Sequence, residues 1–402
     1  MLSGRTTEAV KQAVDVTVDV AEAYDDDLVA ESGTALPSMF QVSGIYSLLT
    51  PRVMFKSNGD RLKIALNAGS SARYFAREKV LLVTEHDVSG GFNTAVTRHT
   101  MFELNQGVTY APATLQELFA GVDPAPLGEG ALPASNYAVD TVRSYVYLAG
   151  TSLTHEFNPR AALRFNASYS RTDIVGNHPG YSDREAYDGA GRMTFGLDKG
   201  VKLRLGYTYR QALYSPVLHP TEHGVDIGIE YSRPRSRTRA TAFGFSVGPQ
   251  RVSAGSTGQE SQQTYGTSAD FWLRHQMNRT WSLEGGYHRG MTLTDLLQSP
   301  TYTDGFTTGV GGFFNRRTFL QTSAGYSTGV MALTATPSPF TTYTGHVRME
   351  VAANKVLATY AEYFYYFYDF DSSIQLPVGV PHALTRNAVR VGLTLWIPVR
   401  HR

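Results

Sequence analysis

The sequence predicts an all-β protein, a closed up-and-down antiparallel transmembrane β-barrel of about eighteen strands. Three observations support this prediction. Apolar and polar residues alternate along segments of ten or more residues, short polar turns separate many of these segments, and aromatic residues lie near the segment ends. A strand that faces lipid on one side and water on the other has this pattern. No apolar run reaches the roughly 18 residues that a transmembrane helix needs.

The clearest example is the hairpin from Ala186 to Gln211, which turns at Asp198-Lys199-Gly200. Its second strand alternates apolar and aromatic residues with charged or small ones. The first set is Val201, Leu203, Leu205, Tyr207 and Tyr209, and the second is Lys202, Arg204, Gly206, Thr208 and Arg210. The first strand likewise has two faces. One carries Tyr187, Met193, Phe195 and Leu197, and the other carries Asp188, Arg192 and Thr194. Each strand therefore has one face for lipid and one for water.

The other segments follow the same rule in chain order. The predicted strands are 14–24, 39–56, 62–74, 82–96, 102–110, 143–155 and 163–172 before this hairpin, then 225–231, 241–247, 265–275, 281–291, 306–314, 319–329, 341–351, 357–370 and 387–397 after it. From Arg143 onward, short turns such as 233–236 alternate with longer loops, as in a barrel with all short turns on one side. An even strand number places both termini with the short turns, on the periplasmic side. Closure is expected because an open sheet edge in lipid has no hydrogen-bond partners.

The composition favours a single barrel domain, residues 13–399, preceded by a tail, residues 1–12. Lys and Arg number 36 against 35 Asp and Glu, a net charge of +1, which argues against a nucleic-acid partner. The absence of cysteine excludes disulfides, thiolate catalysis and cysteine metal sites. The first residues lack the apolar core of a secretory signal. Because an outer-membrane protein must be exported, we expect the signal peptide to be missing from this sequence.

The longest irregular segment, residues 111–141, is rich in Pro, Ala and Gly and contains a candidate short helix at 114–119. Loops of this length are usually functional or disordered. A barrel of about eighteen strands is wide enough for an aqueous channel unless a loop folds inward. We expect this segment to be that loop.

Two polar motifs suggest metal chemistry, but neither has the expected context. His219 to His223 matches the H-x-x-E-H pattern of one class of zinc peptidase, which requires a helix. Prolines accompany the motif, and it is predicted to lie in a polar loop between two strands. The acidic run at residues 25–27, with Glu31 nearby, could bind calcium but lacks a spaced ligand loop. A solvated acidic loop is the favoured interpretation, and no metal or cofactor is predicted.

The aromatic run between Tyr360 and Tyr368 allows two interpretations. Membrane barrels place aromatic girdles at both interfaces, and aromatic rings also stack on sugars. In a strand, alternate side chains point in opposite directions, so about half of this run should face the lumen. The run is therefore either a girdle alone or a girdle with additional carbohydrate contacts inside the barrel.

Charged residues on the face opposite the apolar one are predicted to line the lumen. An Arg or Lys on the lipid face costs about 2 to 4 kcal/mol at the midplane, so these charges mark the wet side. They either pair along the wall and stiffen it or take part in permeation. The predicted lumen-lining residues are Arg164, Arg192, Lys202, Arg204, Arg210, Asp226, Glu230, Asp270, Arg274, Glu284, His288, His346, Arg348, Glu350 and Arg390.

The chain resembles the β-barrel porins of outer membranes that are associated with exopolysaccharide gene clusters. The residues that carry the resemblance are the early strand ending at Tyr24-Asp25-Asp26, the hairpin turned at Asn58-Gly59-Asp60, the pairs Gly206-Tyr207, Gly286-Tyr287 and Gly325-Tyr326, and the final Arg390-Val391-Gly392-Leu393-Thr394-Leu395. The resemblance covers nearly the whole chain. One departure is the end of the chain, which lacks the usual terminal aromatic, so either Trp396 serves as the assembly signal or that signal is atypical.

The predicted function is an aqueous passage through the outer membrane with no catalytic role. The resemblance implies export of a polysaccharide with the help of a periplasmic export protein. The alternatives are a structural or adhesive barrel with an occluded lumen and a general diffusion porin. Expected partners are outer-membrane lipid and lipopolysaccharide. An enzyme is disfavoured because no Ser, His and carboxylate set would lie at matched depth on neighbouring strands.

Overall fold

The protein is a closed antiparallel β-barrel of eighteen strands. The structure, a computed structural model, describes residues 11–28, 42–75, 80–114, 118, 120, 138–176, 178, 181–214, 219–236, 239–255, 262–292, 297, 300–332, 338–377 and 380–401. Within these ranges, every strand pairs with its neighbours in sequence, and β1 pairs with both β2 and β18. No helix in this part of the chain is long and apolar enough to cross a membrane.

The strands are long, as expected for a barrel wall. Their bounds are β1 (Gln12–Leu28), β2 (Val42–Asn58), β3 (Leu62–Phe75), β4 (Val80–Ala95), β5 (Thr100–Thr114), β6 (Ala138–Asn158), β7 (Ala161–Ile174), β8 (Arg184–Asp198), β9 (Val201–Tyr214), β10 (His219–Ser236), β11 (Arg239–Gly255), β12 (Gln262–Gln276), β13 (Ser282–Thr292), β14 (Thr301–Phe313), β15 (Thr318–Met331), β16 (Pro339–Ala352), β17 (Leu357–Phe370) and β18 (Ala383–His401). Connections after even-numbered strands are short turns, such as 159–160, and define one end of the barrel. Connections after odd-numbered strands form the other end, the loop end.

The sequence predicted eighteen strands, and the structure confirms this number, but several boundaries were wrong. Residues 233–236 were predicted as a turn and instead belong to β10, which ends at Ser236, while β11 begins at Arg239. The hairpin between β8 and β9 turns as predicted. There, Gly200 has φ of 89°, and an added Cβ would approach the Ser232 carbonyl oxygen to 2.7 Å. Glycine is required at this turn for both reasons.

The two faces of the sheet differ in exposure most clearly on β11, β17 and β18. On β18, Val391 is 61% exposed, whereas the adjacent Arg390 is 1% exposed. A single-layer wall can bury a side chain only on its inner face, so on β18 the apolar Val391 points outward and the charged Arg390 points inward. The alternation predicted for β9 follows the same direction, with Leu205 exposed and Arg204 buried.

The first and last strands meet along a polar seam. Buried Arg386 on β18 binds the buried Asp25 carboxylate on β1, with Nη2 2.6 Å from Oδ2 and Nε 2.9 Å from Oδ1. Asn387 donates to Asp26 through its backbone N–H (2.6 Å) and its side-chain amide (2.7 Å). The prediction of a solvated acidic loop at residues 25–27 was therefore wrong for Asp25 and Asp26, which complete the closure. Side chains of Asp27 and Glu31 lie outside the described residues.

Removing one partner of this seam pair should destabilise the barrel strongly. We expect Asp25→Asn to lower the free energy of unfolding by about 3 to 5 kcal/mol, because it leaves a buried guanidinium without its counter-charge. The double variant Asp25→Leu/Arg386→Met should recover most of this loss, because neither member of the pair remains as an unpaired buried charge. Urea unfolding of the barrel in lipid vesicles, followed by tryptophan fluorescence, measures both values. A single variant as stable as the wild type would contradict the expectation.

Candidate functional site

The fifteen residues predicted to line the lumen lie on one face of the sheet in the observed register. Side chains directly opposite each other on paired strands share a face, and the pairs Arg164 with Arg192 and Arg274 with Glu284 are opposite one another. The register of the other strand pairs places the remaining members of the set on the same face. This face is internal, because Arg210 on β9 donates a hydrogen bond to the Met291 carbonyl oxygen on β13 (2.8 Å), which is not a neighbouring strand.

One side of the interior is filled by arginines and aromatic rings, and we call it the packed wall. It comprises the inner faces of β16–β18 and β1–β3. Arg390 stacks on Phe364, with its guanidinium carbon 4.8 Å from the ring centre, and donates to the Tyr46 hydroxyl (3.1 Å). Stacking of this kind contributes more when the groups are desolvated, as they are here. Arg390 is therefore fixed in position and is not available to a solute.

Glu362 contacts three ionisable side chains on the packed wall. Its carboxylate lies 2.8 Å from His346 Nε2, 3.6 Å from Arg390 Nη1 and 4.0 Å from Arg348 Nη1. Arg348 also pairs with Glu350 (3.6 Å) and lies 4.0 Å above the ring of Tyr360. The four predicted residues in this cluster, His346, Arg348, Glu350 and Arg390, therefore pair within the wall and stiffen it.

The aromatic run on β17 divides between the two faces as alternation requires. Tyr360, Phe364, Tyr366 and Tyr368 point inward and are 0 to 4% exposed, whereas Tyr363 points outward and is 40% exposed. The inward rings pack against arginines and loop side chains, so they have no open face for a sugar. Carbohydrate stacking on these rings is excluded in this structure.

Most of the remaining predicted residues form ion pairs along the strands. Arg204 binds Asp226 (3.0 Å) and approaches Glu230 (3.7 Å), and it also donates to Ser246. The other pairs are Arg210 with Asp188 and with Glu222 (3.6 Å), His288 with Asp270 (2.6 Å) and Arg274 with Glu284 (3.0 Å). Lys202 is exposed and lies opposite Glu230 in the ladder. Many charges of the predicted lumen-lining set are therefore neutralised by a neighbouring side chain of opposite charge.

The other side of the interior contains an open cavity of about 690 Å³, lined by residues from β2 to β9. Its charged lining residues are Lys56, Lys63, Glu103, Arg164, Asp188, Arg192 and Arg210. Five cations minus two carboxylates leave a net charge of +3 around the cavity. The rest of the lining includes polar residues such as Asn93, Asn105 and Ser152, small residues, and the apolar Ile64, Phe92 and Leu104.

The cations of the open cavity are only partly neutralised. Arg164 approaches Glu103 (3.6 Å) and donates to Ser152 (3.1 Å). Lys56, Lys63 and Arg192 form no ion pair with any residue that the structure describes, and the buried Nε of Arg192 has no hydrogen-bond partner there. Arg192 also lies directly opposite Arg164, an arrangement of like charges that is unfavourable without an anion.

Two described residues of the long segment between β5 and β6, Leu118 and Ala120, lie against the far wall of the lumen. The Leu118 carbonyl oxygen accepts hydrogen bonds from the hydroxyls of Thr342 (3.2 Å) and Ser327, on the far wall. The Ala120 carbonyl oxygen accepts one from Thr344 (3.3 Å). The sequence predicted an inward loop here, and the described residues Leu118 and Ala120 lie inside the barrel. The helix predicted at 114–119 falls mostly outside the described residues, and Thr114 ends β5.

Apolar loop residues cover the packed wall at the loop end of the barrel. Leu118, Leu297, Ile374 and Val380 pack with inward-facing residues such as Phe364, and all are buried. The loop between β17 and β18 is also ordered by Asp371, which accepts hydrogen bonds from the Ser373 hydroxyl (2.6 Å) and backbone N–H (2.9 Å). These bonds lower the pKa of Asp371 below its usual value, because they favour the ionised form.

The H-x-x-E-H motif was predicted to lie in a loop, and this was wrong, because it forms the start of β10. Strand alternation separates its members: Glu222 points inward to Arg210, whereas His223 points outward and contacts the Tyr207 hydroxyl (2.8 Å). The motif therefore cannot place both histidines and the glutamate around one ion. No group of three or more His, Asp or Glu suited to a metal occurs in the described part of the chain.

Several interior residues were absent from the sequence prediction. Arg386 and Asp25 lie outside the predicted strands. Glu362 lies within the aromatic run, which was interpreted from its rings alone. The sequence could have identified Lys63 as lumen-lining, because it alternates with the apolar Leu62 and Ile64. Trp396 is 7% exposed and lies opposite Thr17 on the inner face, so it is not an outward-facing terminal aromatic.

Comparisons with known proteins give similarity at the level of overall architecture. No protein-family model matches the chain, and no curated protein sequence is detectably similar to it. Among solved structures, Pseudomonas aeruginosa OccK11 (OpdR) has a TM-score of 0.47 and 10% identity, covering 97% of this chain and 96% of that one. Acinetobacter baumannii OccAB2 has a TM-score of 0.45 and 11% identity over 97% and 98% of the two chains. The outer membrane protein OpdK of P. aeruginosa has 0.44 and 8% over 96% and 99%.

Proposed function

We propose that this barrel lies in the bacterial outer membrane and provides a passive aqueous passage for small hydrophilic solutes, with a preference for anions. The observation that carries the proposal is the open cavity, whose lining has a net charge of +3. Lys56, Lys63 and Arg192 add cationic charge there that no described carboxylate pairs. Such charge in a confined aqueous space concentrates counter-ions and excludes cations.

The membrane placement is supported by the outer surface. Every second residue of β18 from Val389 to Ile397 is apolar and exposed: Val389, Val391, Leu393, Leu395 and Ile397, with exposures of 47, 61, 47, 38 and 42%. Apolar patches of this extent on a closed barrel require a lipid environment. We place the short turns and both termini on the periplasmic side, because short turns are periplasmic in bacterial barrels.

Diffusion of small solutes is favoured over export of a polysaccharide. Exopolysaccharide export, with its periplasmic partner protein, comes from the sequence resemblance alone. A polymer needs an uninterrupted lumen, whereas Leu118 and Ala120 dock against the far wall and the packed wall fills one side. Contacts with lipopolysaccharide likewise remain a prediction.

Single-channel recording in planar bilayers tests the proposal. We expect discrete conductance steps from purified, refolded barrel, because the open cavity leaves space for water and ions on one side of the lumen. The same barrel in liposomes should admit small sugar acids faster than uncharged sugars of equal size. A folded barrel that is silent, and stays silent when residues 115–137 are replaced by a short Gly-Ser linker, would instead indicate a structural or adhesive barrel.

A further inference from the structure

Exposed cations surround the turn end of the barrel. Seven of the eight short turns are described, and each contains at least one exposed Lys or Arg, while Arg239 adjoins the eighth. Lys11 and Arg400 occupy the same end at the seam. We call this set the basic rim, and its members are Lys11, Arg61, Arg98, Arg160, Lys199, Arg239, Arg279, Arg316, Arg317, Lys355 and Arg400.

Cations outnumber carboxylates at the basic rim. Asp60 and Asp198 are acidic within these turns or next to them in sequence, and Glu156, whose N–H bonds to the His99 carbonyl oxygen, and Asp15, which contacts His401, lie beside the rim, so eleven cations minus four carboxylates leave a net charge of +7. Within the described residues, no ion pair involves Arg98, Arg160 or Arg317, and the same is true of Arg61, Lys199 and Arg279. This distribution contrasts with the barrel interior, where most arginines face a carboxylate.

Turn formation does not explain these cations. In several turns, an asparagine side chain caps the backbone: Asn158 accepts from the Arg160 N–H (2.8 Å), and Asn315 accepts from the Arg317 N–H (2.8 Å). Asn354 caps the turn containing Lys355 in the same way, through the Val356 N–H (2.8 Å). The cap requires only the asparagine and the backbone, so the turn does not use the side chains of Arg160 and Arg317, which have no ion pair within the described residues.

The same turns also carry exposed apolar side chains. Phe314 is 62% exposed, Val96 61%, Leu197 60% and Phe157 53%, each within a turn or close beside it. An apolar side chain next to a cation is the arrangement that suits the boundary between acyl chains and headgroup phosphates.

We propose that the basic rim binds the phosphates of anionic phospholipids in the leaflet on the turn side of the membrane. Cations occur on all sides of the barrel rather than along one arc, which suits a lipid leaflet that surrounds the barrel better than a protein docked on one side. The proposal rests on the membrane placement proposed above, but it does not depend on whether the lumen conducts.

The test measures lipid retained by the detergent-purified barrel with native mass spectrometry. The rim variant carries Arg98→Gln, Arg160→Gln, Arg279→Gln and Arg317→Gln. Its matched control carries four neutralised arginines on the outer face at the loop end, Arg143→Gln, Arg171→Gln, Arg251→Gln and Arg289→Gln. We expect the wild type and the control to retain phosphatidylglycerol over phosphatidylcholine by on the order of tenfold, and the rim variant to lose this preference.

Two results would overturn the proposal. One is equal retention of the two lipids by the wild type, and the other is an unchanged preference in the rim variant. Binding of soluble polyglutamate by a wild type that shows no lipid preference would assign the rim to an acidic protein partner instead. Channel conductance of the rim variant, recorded in parallel, separates failure of this proposal from failure of the proposed passage, because conductance should stay near the wild-type value.

Discussion

Replacement of Gly325 by alanine should open the lumen and raise single-channel conductance. A Cβ at Gly325 would lie 1.9 Å from the Ala120 carbonyl oxygen and 2.6 Å from Thr344 Oγ1. The first contact is with backbone that cannot rotate away, so the Ala120 segment must leave the wall. Its departure breaks the hydrogen bonds from Ser327, Thr342 and Thr344.

The expected effect is large because those three hydrogen bonds fail together. Each neutral hydrogen bond contributes about 1 kcal/mol, so docking of the segment should weaken by about 3 kcal/mol. Conductance of Gly325→Ala should approach that of the barrel in which a linker replaces residues 115–137. Far-ultraviolet circular dichroism and heat-modified migration in gels establish that the variant is folded.

Gly309→Ala provides a matched control for this prediction. Gly309 also lies on the inner face, opposite Glu284 and Ser323, but a Cβ there would approach no closer than 3.5 Å to the Thr322 carbonyl oxygen. Its conductance should equal that of the wild type. If Gly325→Ala and Gly309→Ala conduct alike, docking of the segment does not limit the passage.

Reversal of two charges in the open cavity should invert the ion selectivity of the channel. Arg164→Glu and Arg192→Glu together change the charge of the cavity lining by −4, from +3 to −1. We expect the wild type to pass chloride in preference to potassium and the double variant to prefer potassium. The permeability ratio should change on the order of tenfold or more, the scale on which charged clefts alter local ion concentration.

Reversal potentials in a gradient of potassium chloride measure this change. The control variant, Arg171→Glu with Arg289→Glu, makes the same charge change on the outer face at the loop end and should retain the wild-type sign. Arg192→Gln serves as a further check, since the side chain opposes Arg164 and has no ion pair among the described residues. The unfolding free energy of the Arg192→Gln variant should not be lower than that of the wild type. Unchanged reversal potential in the double variant would locate the ion path elsewhere.

Strand number and the direction of each face were predictable because both depend on local alternation. On β9, the charged residues Lys202, Arg204 and Arg210 are two and six residues apart, so all three fall on one face whichever strands lie beside it. The lumen-lining prediction used only this property, and the observed register places its residues on a common face. Strand ends were less predictable. Residues 219–223 and 233–236 contain proline, which favours a loop or turn, yet both ranges belong to β10.

Ion-pair partners could not be predicted, because they depend on contacts between distant parts of the chain. Asp25 and Arg386 are separated by 361 residues and meet only because β1 pairs with β18. Alone, Asp25 belongs to an acidic run that suggests a solvent-exposed loop. Glu362 likewise becomes the centre of a charge cluster only when β16 and β18 flank β17.

The amino-acid sequence by itself determined the eighteen-strand wall, its apolar exterior and its charged interior, because side chains alternate along a strand whatever its neighbours are. The tertiary structure alone decided which interior charges are neutralised and which remain open to solutes. That outcome depends on strand register, on closure of β1 against β18 and on the docking of Leu118 and Ala120 across the lumen. Each of these brings together residues that are far apart in the chain, and local alternation contains no information about such contacts.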